Sequence, residues 1–436
     1  MAHLAVVCPE DAGHLLPLGA LGAALVRRGH RVTLVARPEA APLATQLGLE
    51  LCRLETGDFR LPFPHLQWAA FSLAGAGWIA NLRQWLLWRS ELALRFLPAA
   101  LGRLGIDGVV TDQPVATGGT VAEHLGLPFV TVCSGVPWHE EPTVPPLFTS
   151  WPYREGARAR LRNGAGYAAW HWYMGPTLRC INRYRRRWNL KPLRRIGDAD
   201  SPLAHVSQLC AELDFPRHAL PPHFHYVGSL ATDRQVRSDD QFPWERLDGR
   251  PLIFASMGTV QDRGNTPVLR RIAAACAGLN AQLVLALGRW REKGKGAEPE
   301  AIGTLPGDPV VVDFAPQLAL LDRAALLITH AGMNTVVEAL GRGVPMVALP
   351  REGDQPGMAA RIERAGIGLL ASFRHGTAGD LRSMVERVLA DASFRQRAGA
   401  VGRALTAAGG AQRAAEIAEQ ALLTRSPVAR AVPLSS

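Results

Sequence analysis

The chain has 436 residues, of which 47% are hydrophobic and 20% charged, a composition that predicts a folded protein of two or three domains and excludes a disordered chain. No apolar run is long enough for a transmembrane helix. The first residues lack the basic start and long apolar stretch of a secretory signal, and the six cysteines contain no CxxC pair. We therefore expect a cytoplasmic protein without disulfide or zinc frameworks.

The net charge of +10 is concentrated in one segment. Residues 154–195 carry twelve Arg or Lys side chains and one acidic side chain, with six Trp or Tyr side chains between them. Such a segment can bind nucleic acid, contact an anionic membrane surface or form a plain solvated helix face. No nucleic-acid recognition motif accompanies it, so we expect no nucleic-acid partner and keep the other two interpretations open.

Strands and helices alternate along the N-terminal half. Apolar runs predict strands at 3–8, 31–36, 49–54, 105–112, 127–133, 204–209 and 223–227, and helical spacing predicts helices at 15–28, 77–97 and 115–125. The basic segment is predicted to form two helices that break at Gly175-Pro176. The proline-rich stretch 134–150 is predicted to be a long functional loop or a lid.

A second alternating series begins at residue 251. Strands are predicted at 251–259, 281–286, 309–313, 325–329 and 345–349, with helices between them. Two such series predict two doubly wound parallel sheets that face each other. We assign residues 1–228 to an N-terminal domain, 229–250 to a polar linker, 251–424 to a C-terminal domain and 425–436 to a loose tail.

Chemistry-bearing residues are densest in segment 314–361. A predicted strand ends at His330, and Gly332 then leads into a helix, an arrangement whose free N–H groups and positive dipole end suit a phosphate. Glu338 lies one turn further and can accept hydrogen bonds from ribose hydroxyls. Another strand ends before Asp354-Gln355, a carboxylate and amide that suit the hydroxyls of a sugar.

These residues resemble the nucleotide-sugar signature of inverting UDP-glycosyltransferases with the GT-B fold. The matching positions are Pro316, Gln317, His330, Gly332, Asn334, Thr335, Glu338, Gly343, Val344, Pro345, Pro350, Asp354 and Gln355. Phe314 stands where the family usually has Trp and stacks on a base with less area, so the choice between UDP and TDP stays open. The resemblance implies two Rossmann-like α/β domains with a cleft between them and a nucleotide-sugar donor.

The resemblance also implies which side chains hold each part of the donor. The diphosphate would be held by His330, Gly332, Asn334 and Thr335, and the ribose by Glu338. The sugar hydroxyls would be held by Asp354 and Gln355, and the base by Phe314, Ala315 and Gln317. Ser256, Gly258 and Thr259 resemble the family's second phosphate loop. The helix dipole and His330 would stabilise the diphosphate, so no metal or other cofactor is expected.

The start of the chain is similar to the acceptor half of the same enzymes. Residues 13–36 resemble the first strand–helix–strand unit of these enzymes, and the catalytic base, a His after the first strand, corresponds to His14. The acidic partner of that base falls on Asp112 at the end of a later strand. Asp107 begins the same strand and would point to the opposite sheet edge, so it is the weaker candidate.

Within the family, segments 118–146 and 201–230 resemble bacterial carotenoid glucosyltransferases that act on zeaxanthin. This implies transfer of glucose from UDP-glucose to a carotenoid hydroxyl, with residues 154–195 as a peripheral contact with an anionic membrane. Another hydrophobic acceptor, such as a macrolide, polyketide, sterol or flavonoid, is the main alternative. A sugar-nucleotide epimerase and a non-catalytic accessory protein are weaker alternatives, because both the base and the donor residues are present.

Two further features are interpreted as mainly structural. Asp198-Ala199-Asp200 spells a DxD motif, which binds metal in another glycosyltransferase fold, but it lies in a loop and we assign it no metal. The tryptophan-containing helix at 77–97 is predicted to be mostly core, and part of it could line an apolar acceptor pocket.

Overall fold

The computed structural model describes residues 1–54, 76–230, 242–258, 266–288 and 302–430. Within these ranges the chain forms two wholly parallel sheets, of seven and six strands, with helices between most successive strands. The prediction of two doubly wound α/β units is therefore confirmed. Parallel strands need crossover connections, and the alternating sequence pattern supplies them.

The N-terminal sheet consists of β1 (His3–Val7), β2 (Arg31–Ala36), β3 (Glu50–Arg53), β4 (Gly108–Asp112), β5 (Phe129–Cys133), β6 (His205–Ser207) and β7 (Phe224–Tyr226). Their order is β3-β2-β1-β4-β5-β6-β7, and every neighbouring pair is parallel. The central strands β4 and β5 are buried along their whole length, which is why they read as continuous apolar runs in the sequence.

The helices of this half are α1 (Ala12–Arg27), α2 (Ala41–Leu47), α3 (Ala76–Leu104), α4 (Ala116–His124) and α5 (Ala157–Arg187). Helix α1 begins three residues before its predicted start, so His14 lies in its first turn. Gly29 follows the helix with a φ of 90°, the left-handed conformation expected of a glycine at this position.

The predicted break at Gly175-Pro176 is wrong, because α5 continues through Pro176 as one helix of 31 residues. A proline inside a helix costs about 3 kcal/mol. Met174, Thr177 and Ile181 are buried on both sides of the proline, and α5 packs along α3. Burial of this continuous face offsets the cost of the proline.

The C-terminal sheet contains β8 (Leu252–Ser256), β9 (Gln282–Ala286), β10 (Val310–Val312), β11 (Ala324–Thr329), β12 (Met346–Ala348) and β13 (Gly368–Leu370). Its order is β10-β9-β8-β11-β12-β13. The helices are α6 (Thr266–Cys276), α7 (Gln317–Leu321), α8 (Met333–Gly341), α9 (Gln355–Arg364), α10 (Ala378–Ala390), α11 (Ala392–Ala407) and α12 (Gly410–Thr424). The edge strand β13 was not predicted.

The last helix returns to the N-terminal half. Ile417 and Leu422 of α12 share one hydrophobic core with Leu18 and Leu21 of α1. On the helix surface, Glu419 accepts hydrogen bonds from Arg28 and His30 at the end of α1. The predicted domain limits at 228, 251 and 424 stay predictions, and part of the predicted linker, 231–241, lies outside the described residues.

The expectation of a loose tail is wrong for residues 425–430. Val428 is buried, and its backbone N–H donates to the carbonyl of Leu203 at 2.9 Å. The ring of His225 bonds the Val428 carbonyl at 2.8 Å. One apolar side chain and these backbone hydrogen bonds hold the segment on the N-terminal sheet, whereas 431–436 lie outside the described residues.

Across the described ranges, no helix is long and apolar enough to cross a membrane. The six cysteines are free thiols, and all except Cys52 are buried.

Candidate active site

The two predicted catalytic residues meet at one edge of the N-terminal sheet. Asp112 is the last residue of β4 and is fully buried, and the side chain of His14 in the first turn of α1 is 31% exposed. His14 Nδ1 lies 2.6 Å from Asp112 Oδ2. Asp107 lies at the opposite edge, where it accepts a hydrogen bond from the backbone of His3 at 2.7 Å.

Ser134 completes this group and was missed by the sequence analysis. Its Oγ lies 2.9 Å from His14 Nδ1 and donates to Asp112 Oδ2 at 2.9 Å. Ser134 directly follows β5, so it leaves the same sheet edge as Asp112. The rule that strand ends of parallel sheets converge could have identified it.

The electrostatics of this group favour a charged imidazole. Burial by itself lowers the pKa of His14, but the charge and hydrogen bond of Asp112 outweigh burial and raise the pKa above its ordinary value. Asp11 and Asp354 act in the same direction. The aspartate can therefore stabilise a proton that His14 takes up.

The predicted diphosphate loop folds as a tight turn around His330. Ala331 has a φ of 66°, which turns the chain from β11 into α8, and Gly332 caps the helix. A Cβ atom would lie 2.5 Å from the His330 ring at Gly332 and 2.9 Å from it at Gly258. Only glycine fits at either position, and the backbone can approach a ligand closely there.

His330 offers a hydrogen-bond donor and not a charge. Burial lowers its pKa to about 4, although a hydrogen bond with the backbone of Ser256 opposes this shift. At neutral pH the ring is therefore uncharged and can act as a hydrogen-bond donor to a phosphate without adding a positive charge. A bound anion would raise the pKa again.

Asn334 and Thr335 begin helix α8, and Asn334 reaches across to the N-terminal half. Its Nδ2 donates to the carbonyl of Gly13 at 2.9 Å, and its Oδ1 accepts from Gln208 Nε2 at 3.1 Å. Thr335 Oγ1 lies 3.5 Å from Gln317 Nε2. The diphosphate loop and the His14 segment are therefore in direct contact.

The residues predicted for the ribose and the base also lie together. The Gln317 side-chain amide donates to the carboxylate of Glu338, whose pKa is raised by burial although Gln317 and Arg342 oppose this. Phe314 is half-buried and Ala315 buried, directly before Gln317. These groups can line one pocket beside the start of α8.

Asp354 and Gln355, predicted for the sugar, stand at the start of α9. Asp354 Oδ2 accepts from the backbone N–H of Val136 at 2.8 Å, so it too contacts the N-terminal half. Gln355 Oε1 accepts from the backbone N–H groups of Arg351 at 2.9 Å and Glu352 at 3.2 Å. The side-chain carbonyl oxygen of Gln355 thus stabilises the loop that precedes α9.

The second predicted phosphate loop follows β8. Ser256 is the last residue of the strand, and its Oγ accepts from the backbone N–H of Gly258 at 3.4 Å. Gly258 has a φ of 86°. Thr259 lies outside the described residues.

The two aspartates of the DxD motif have separate surroundings. Asp198 accepts hydrogen bonds from the backbones of Arg194 and Arg195, and Asp200 accepts from Gln113 at 2.7 Å. The side-chain ligand atoms of Asp200 and two histidines, His139 and His205, lie within 4.8 Å of one another. The two histidine rings are hydrogen-bonded to each other at 2.8 Å. The two aspartates do not chelate together as a DxD pair would.

A group of aromatic rings, which we call the aromatic strip, leads away from the catalytic group. The backbone of Trp138 bonds Gln113, the neighbour of Asp112. Ring centroids are 5.6 Å apart for Trp138–Trp170, 5.5 Å for Phe148–Trp170 and 5.9 Å for Trp170–Tyr173. The four rings are half-buried, and the hydroxyl of Tyr173 is buried with no hydrogen-bond partner.

The basic segment presents one exposed face of α5. Leu161 is 77% and Trp172 68% exposed, and the spacing of Arg158, Leu161 and Trp172 continues to Arg179 on the same side of the helix. Ten of the twelve basic side chains in 154–195 are exposed. Of the other two, Arg162 is half-buried, and Arg185 is 3% exposed and pairs with Glu123 at 2.8 Å.

Comparisons with known proteins agree with this geometry. The family model of UDP-glucoronosyl and UDP-glucosyl transferases matches residues 194–403. The zeaxanthin glucosyltransferase of Pantoea ananas is 36% identical over 98% of both chains, and that of Pseudescherichia vulneris is 34% identical over 97% of this chain and 98% of its own. The crystal structure of the glycosyltransferase of kitacinnamycin superposes with a TM-score of 0.72 at 25% identity, covering 97% of this chain and 99% of its own.

Proposed function

The chain belongs to the UDP-glycosyltransferase family and is a GT-B enzyme, and we propose that it transfers glucose from UDP-glucose, with inversion, to a hydroxyl of a carotenoid such as zeaxanthin. The observation that carries the proposal is the position of His14. The histidine is paired with Asp112, and its neighbour Gly13 contacts the start of α8. An acceptor hydroxyl near His14 would thus lie close to a donor held by α8.

The proposed reaction is a single in-line displacement at the anomeric carbon. Nδ1 of His14 faces Asp112, so Nε2 is the atom that takes the acceptor proton. The acceptor oxygen forms a bond to the anomeric carbon while the bond to the phosphate oxygen breaks, and UDP leaves with the electron pair. Asp112 stabilises the imidazolium, and Ser134 holds Asp112 in place.

The leaving diphosphate would be stabilised by fixed dipoles. The first N–H groups of α8 are directed at the turn beside Gly332, and His330 adds a neutral donor. Family members are inverting and metal-independent, so no cation is needed in this role. Asp354 and Gln355 would hold the sugar hydroxyls, Glu338 the ribose, and Phe314 with Ala315 and Gln317 the base.

The aromatic strip supports an apolar acceptor. Its four half-buried rings contact one another in series, and the backbone of Trp138 bonds Gln113, the residue after Asp112. Flat aromatic faces pack well against a long conjugated chain. The unpartnered hydroxyl of Tyr173 could bind a polar group of the same acceptor. The relatives of Pantoea and Pseudescherichia are named for zeaxanthin, and the proposal extends their substrate to this chain.

An acceptor that dissolves in lipid places the enzyme at a membrane surface. The exposed face of α5 combines Leu161 and Trp172 with arginines, a composition that favours the interface of an anionic bilayer. Arg83 stacks on the Trp172 ring at 4.9 Å and adds a charge at the same place. We propose that the cytoplasmic protein binds the inner membrane face peripherally through this helix.

Incubation of the purified protein with UDP-glucose and zeaxanthin in anionic vesicles, followed by mass detection of products, tests the proposal. We expect one or two added hexoses. The variant His14→Ala should lower kcat by about 10²- to 10⁴-fold, the contribution of a positioned general base, with donor binding retained. Transfer only to other apolar alcohols would replace the carotenoid as acceptor, and unchanged turnover by His14→Ala would exclude His14 as the base.

A further inference from the structure

Gln208 lies at the junction between the catalytic group and the donor loop. It directly follows Ser207, the last residue of β6, and is only 1% exposed. Sequence patterns give no role to this glutamine. In the structure its side-chain amide forms three hydrogen bonds, each to a different part of the chain.

The orientation of the amide is determined by its partners. Nε2 donates to the carbonyl of Ser134 at 2.8 Å and to Asn334 Oδ1 at 3.1 Å, and Oε1 accepts from the backbone N–H of Leu230 at 3.1 Å. A backbone carbonyl only accepts and a backbone N–H only donates, so the amide cannot be flipped. Asn334 is fixed in the same way, because its Nδ2 must face the carbonyl of Gly13.

These hydrogen bonds close a ring around the active site. Asn334 contacts Gly13, the neighbour of His14, and the His14 ring contacts Ser134 Oγ. Ser134 returns to Gln208 through its carbonyl, and Gln208 returns to Asn334. The base is thus connected to the first turn of α8 from two sides, once through Gly13 and once through Ser134.

We propose that Gln208 is a positioning residue that couples donor binding at α8 to the placement of His14. The inference rests on the proposed function, because Asn334 belongs to the predicted diphosphate site. A diphosphate that draws the start of α8 toward itself moves Asn334, and the rigid amide carries Ser134 with it. The base therefore reaches its working position when the donor is bound, which limits proton uptake by His14 when the donor site is empty.

The decisive variant is Gln208→Leu, measured beside Gln282→Leu. Gln282 is a matched control, since it is a buried glutamine that bonds the backbones of Arg246 at 2.7 Å and Asp248 at 2.9 Å, away from the active site. We expect Gln208→Leu to lower kcat on a short, water-soluble alcohol about 10- to 100-fold, because a misplacement near 1 Å costs on the order of 10²-fold. The Kd of UDP should change little, and Gln282→Leu should lower only the Tm.

A second readout needs no acceptor. The ring resonance of His14, assigned with His14→Ala, is followed by NMR during a pH titration with and without UDP. We expect UDP to shift the apparent pKa of His14 in the wild type and to shift it less in Gln208→Leu, where only the connection through Gly13 remains. If that variant does not fold, Gln208→Glu serves instead: it keeps an acceptor for Leu230, and its second carboxylate oxygen, which cannot donate when ionised, faces the Ser134 carbonyl and Asn334 Oδ1.

The outcomes separate the inference from the proposed function. A wild type that does not bind UDP would overturn both. Wild-type UDP binding together with an unaltered His14 response and unaltered kcat in the Gln208 variants would overturn the inference alone. A loss of kcat in which Gln208→Leu and Gln282→Leu behave alike would overturn it as well, because the effect would then be structural.

Discussion

Asp214 and Arg361 form a buried ion pair that fastens helix α9 to the N-terminal half. Nε and Nη2 of Arg361 each lie 2.8 Å from Asp214 Oδ1, and both side chains are about 1% exposed. Arg217 and the hydroxyl of Tyr226 bond the other carboxylate oxygen at 3.1 and 2.7 Å. Since α9 begins with the residues predicted to hold the sugar, this ion pair sets where those residues stand.

Removal of Arg361 should destabilise the protein strongly. Arg361→Met leaves Asp214 buried with one fewer cation, and breaking a buried pair typically costs about 3–5 kcal/mol of unfolding free energy. Arg413→Met is the control, since Arg413 forms an exposed pair with Glu416 three residues along the same helix, worth about 0.2–0.5 kcal/mol. Urea denaturation measures both, and equal losses would contradict a special role for the Asp214 pair.

The pH dependence of unfolding should follow from the same carboxylate. Burial alone would raise the pKa of Asp214, but Arg217 and Arg361 hold it well below its ordinary value. A carboxyl with a lowered folded-state pKa stabilises the fold above its unfolded pKa of about 4 and loses that contribution as pH falls further. We expect this part of the acid sensitivity to shrink in Arg361→Met, as measured by urea midpoints between neutral and acidic pH.

The acid limb of the pH–rate profile should report His14. A general base must be uncharged to act, and the pKa of His14 is raised above its ordinary value by Asp112. We expect kcat/KM to rise with pH through a midpoint above about 6.5, the unperturbed histidine value. Asp112→Asn should lower both the rate and that midpoint. A wild-type midpoint below the unperturbed value would contradict the assignment.

The two predicted donor carboxylates should have different effects. Glu338→Ala should weaken UDP binding, because hydrogen bonds to a charged group contribute about 1.5–3 kcal/mol each. Asp354→Ala should weaken binding of UDP-glucose while UDP binds nearly as before, and it also removes the contact with Val136. Calorimetry with both ligands measures this, and equal losses for UDP in the two variants would contradict the division of roles.

Activity should persist in excess EDTA. In the proposed mechanism the start of α8 and His330 stabilise the diphosphate, so no divalent cation takes part in the leaving-group step. Initial rates with and without chelator are compared on the same short acceptor. Complete loss that Mg²⁺ or Mn²⁺ restores would contradict the mechanism, and Asp198→Asn against Asp200→Asn would then show whether the DxD segment is involved.

Binding to anionic vesicles should depend on the exposed arginines of α5. Two arginines of the helix already have acidic partners, because Arg185 is buried with Glu123 and Arg183 is paired with Glu91. The variant to test therefore replaces Arg179, Arg186 and Arg187 with Gln. Each removed charge near the surface weakens binding by about 1 kcal/mol.

Co-sedimentation at low and high salt measures this binding. We expect release at 1 M salt, where the Debye length falls to about 3 Å. The matched control replaces Arg387, Arg403 and Arg413, which are exposed on other helices. This control variant should bind the vesicles more strongly than the α5 variant. If the two triple variants behave alike, or if the wild type ignores anionic vesicles, α5 is an ordinary solvated face.

Local pattern was sufficient to predict both sheets, because parallel strands buried on both faces appear as short apolar runs. The pairing of His14 with Asp112 came from resemblance to the family, and the structure brings the two side chains within 2.6 Å of each other at the edge where the carboxyl ends of the strands meet. A phosphate site in the donor segment could also be predicted locally, because a glycine turn that leads from a strand into a helix is visible in the sequence. Chain order and side-chain chemistry carry this information without any long-range packing.

Only the tertiary structure decided the contacts between distant segments. Gln208 and Asn334 are 126 residues apart and Asp354 and Val136 are 218 apart, and no periodicity relates such positions. The same holds for the uninterrupted α5, where packing on α3 offsets the proline, and for Arg185, whose partner Glu123 lies on another helix. A local pattern specifies which face of an element is apolar, but the element that covers this face depends on the folding of the entire chain.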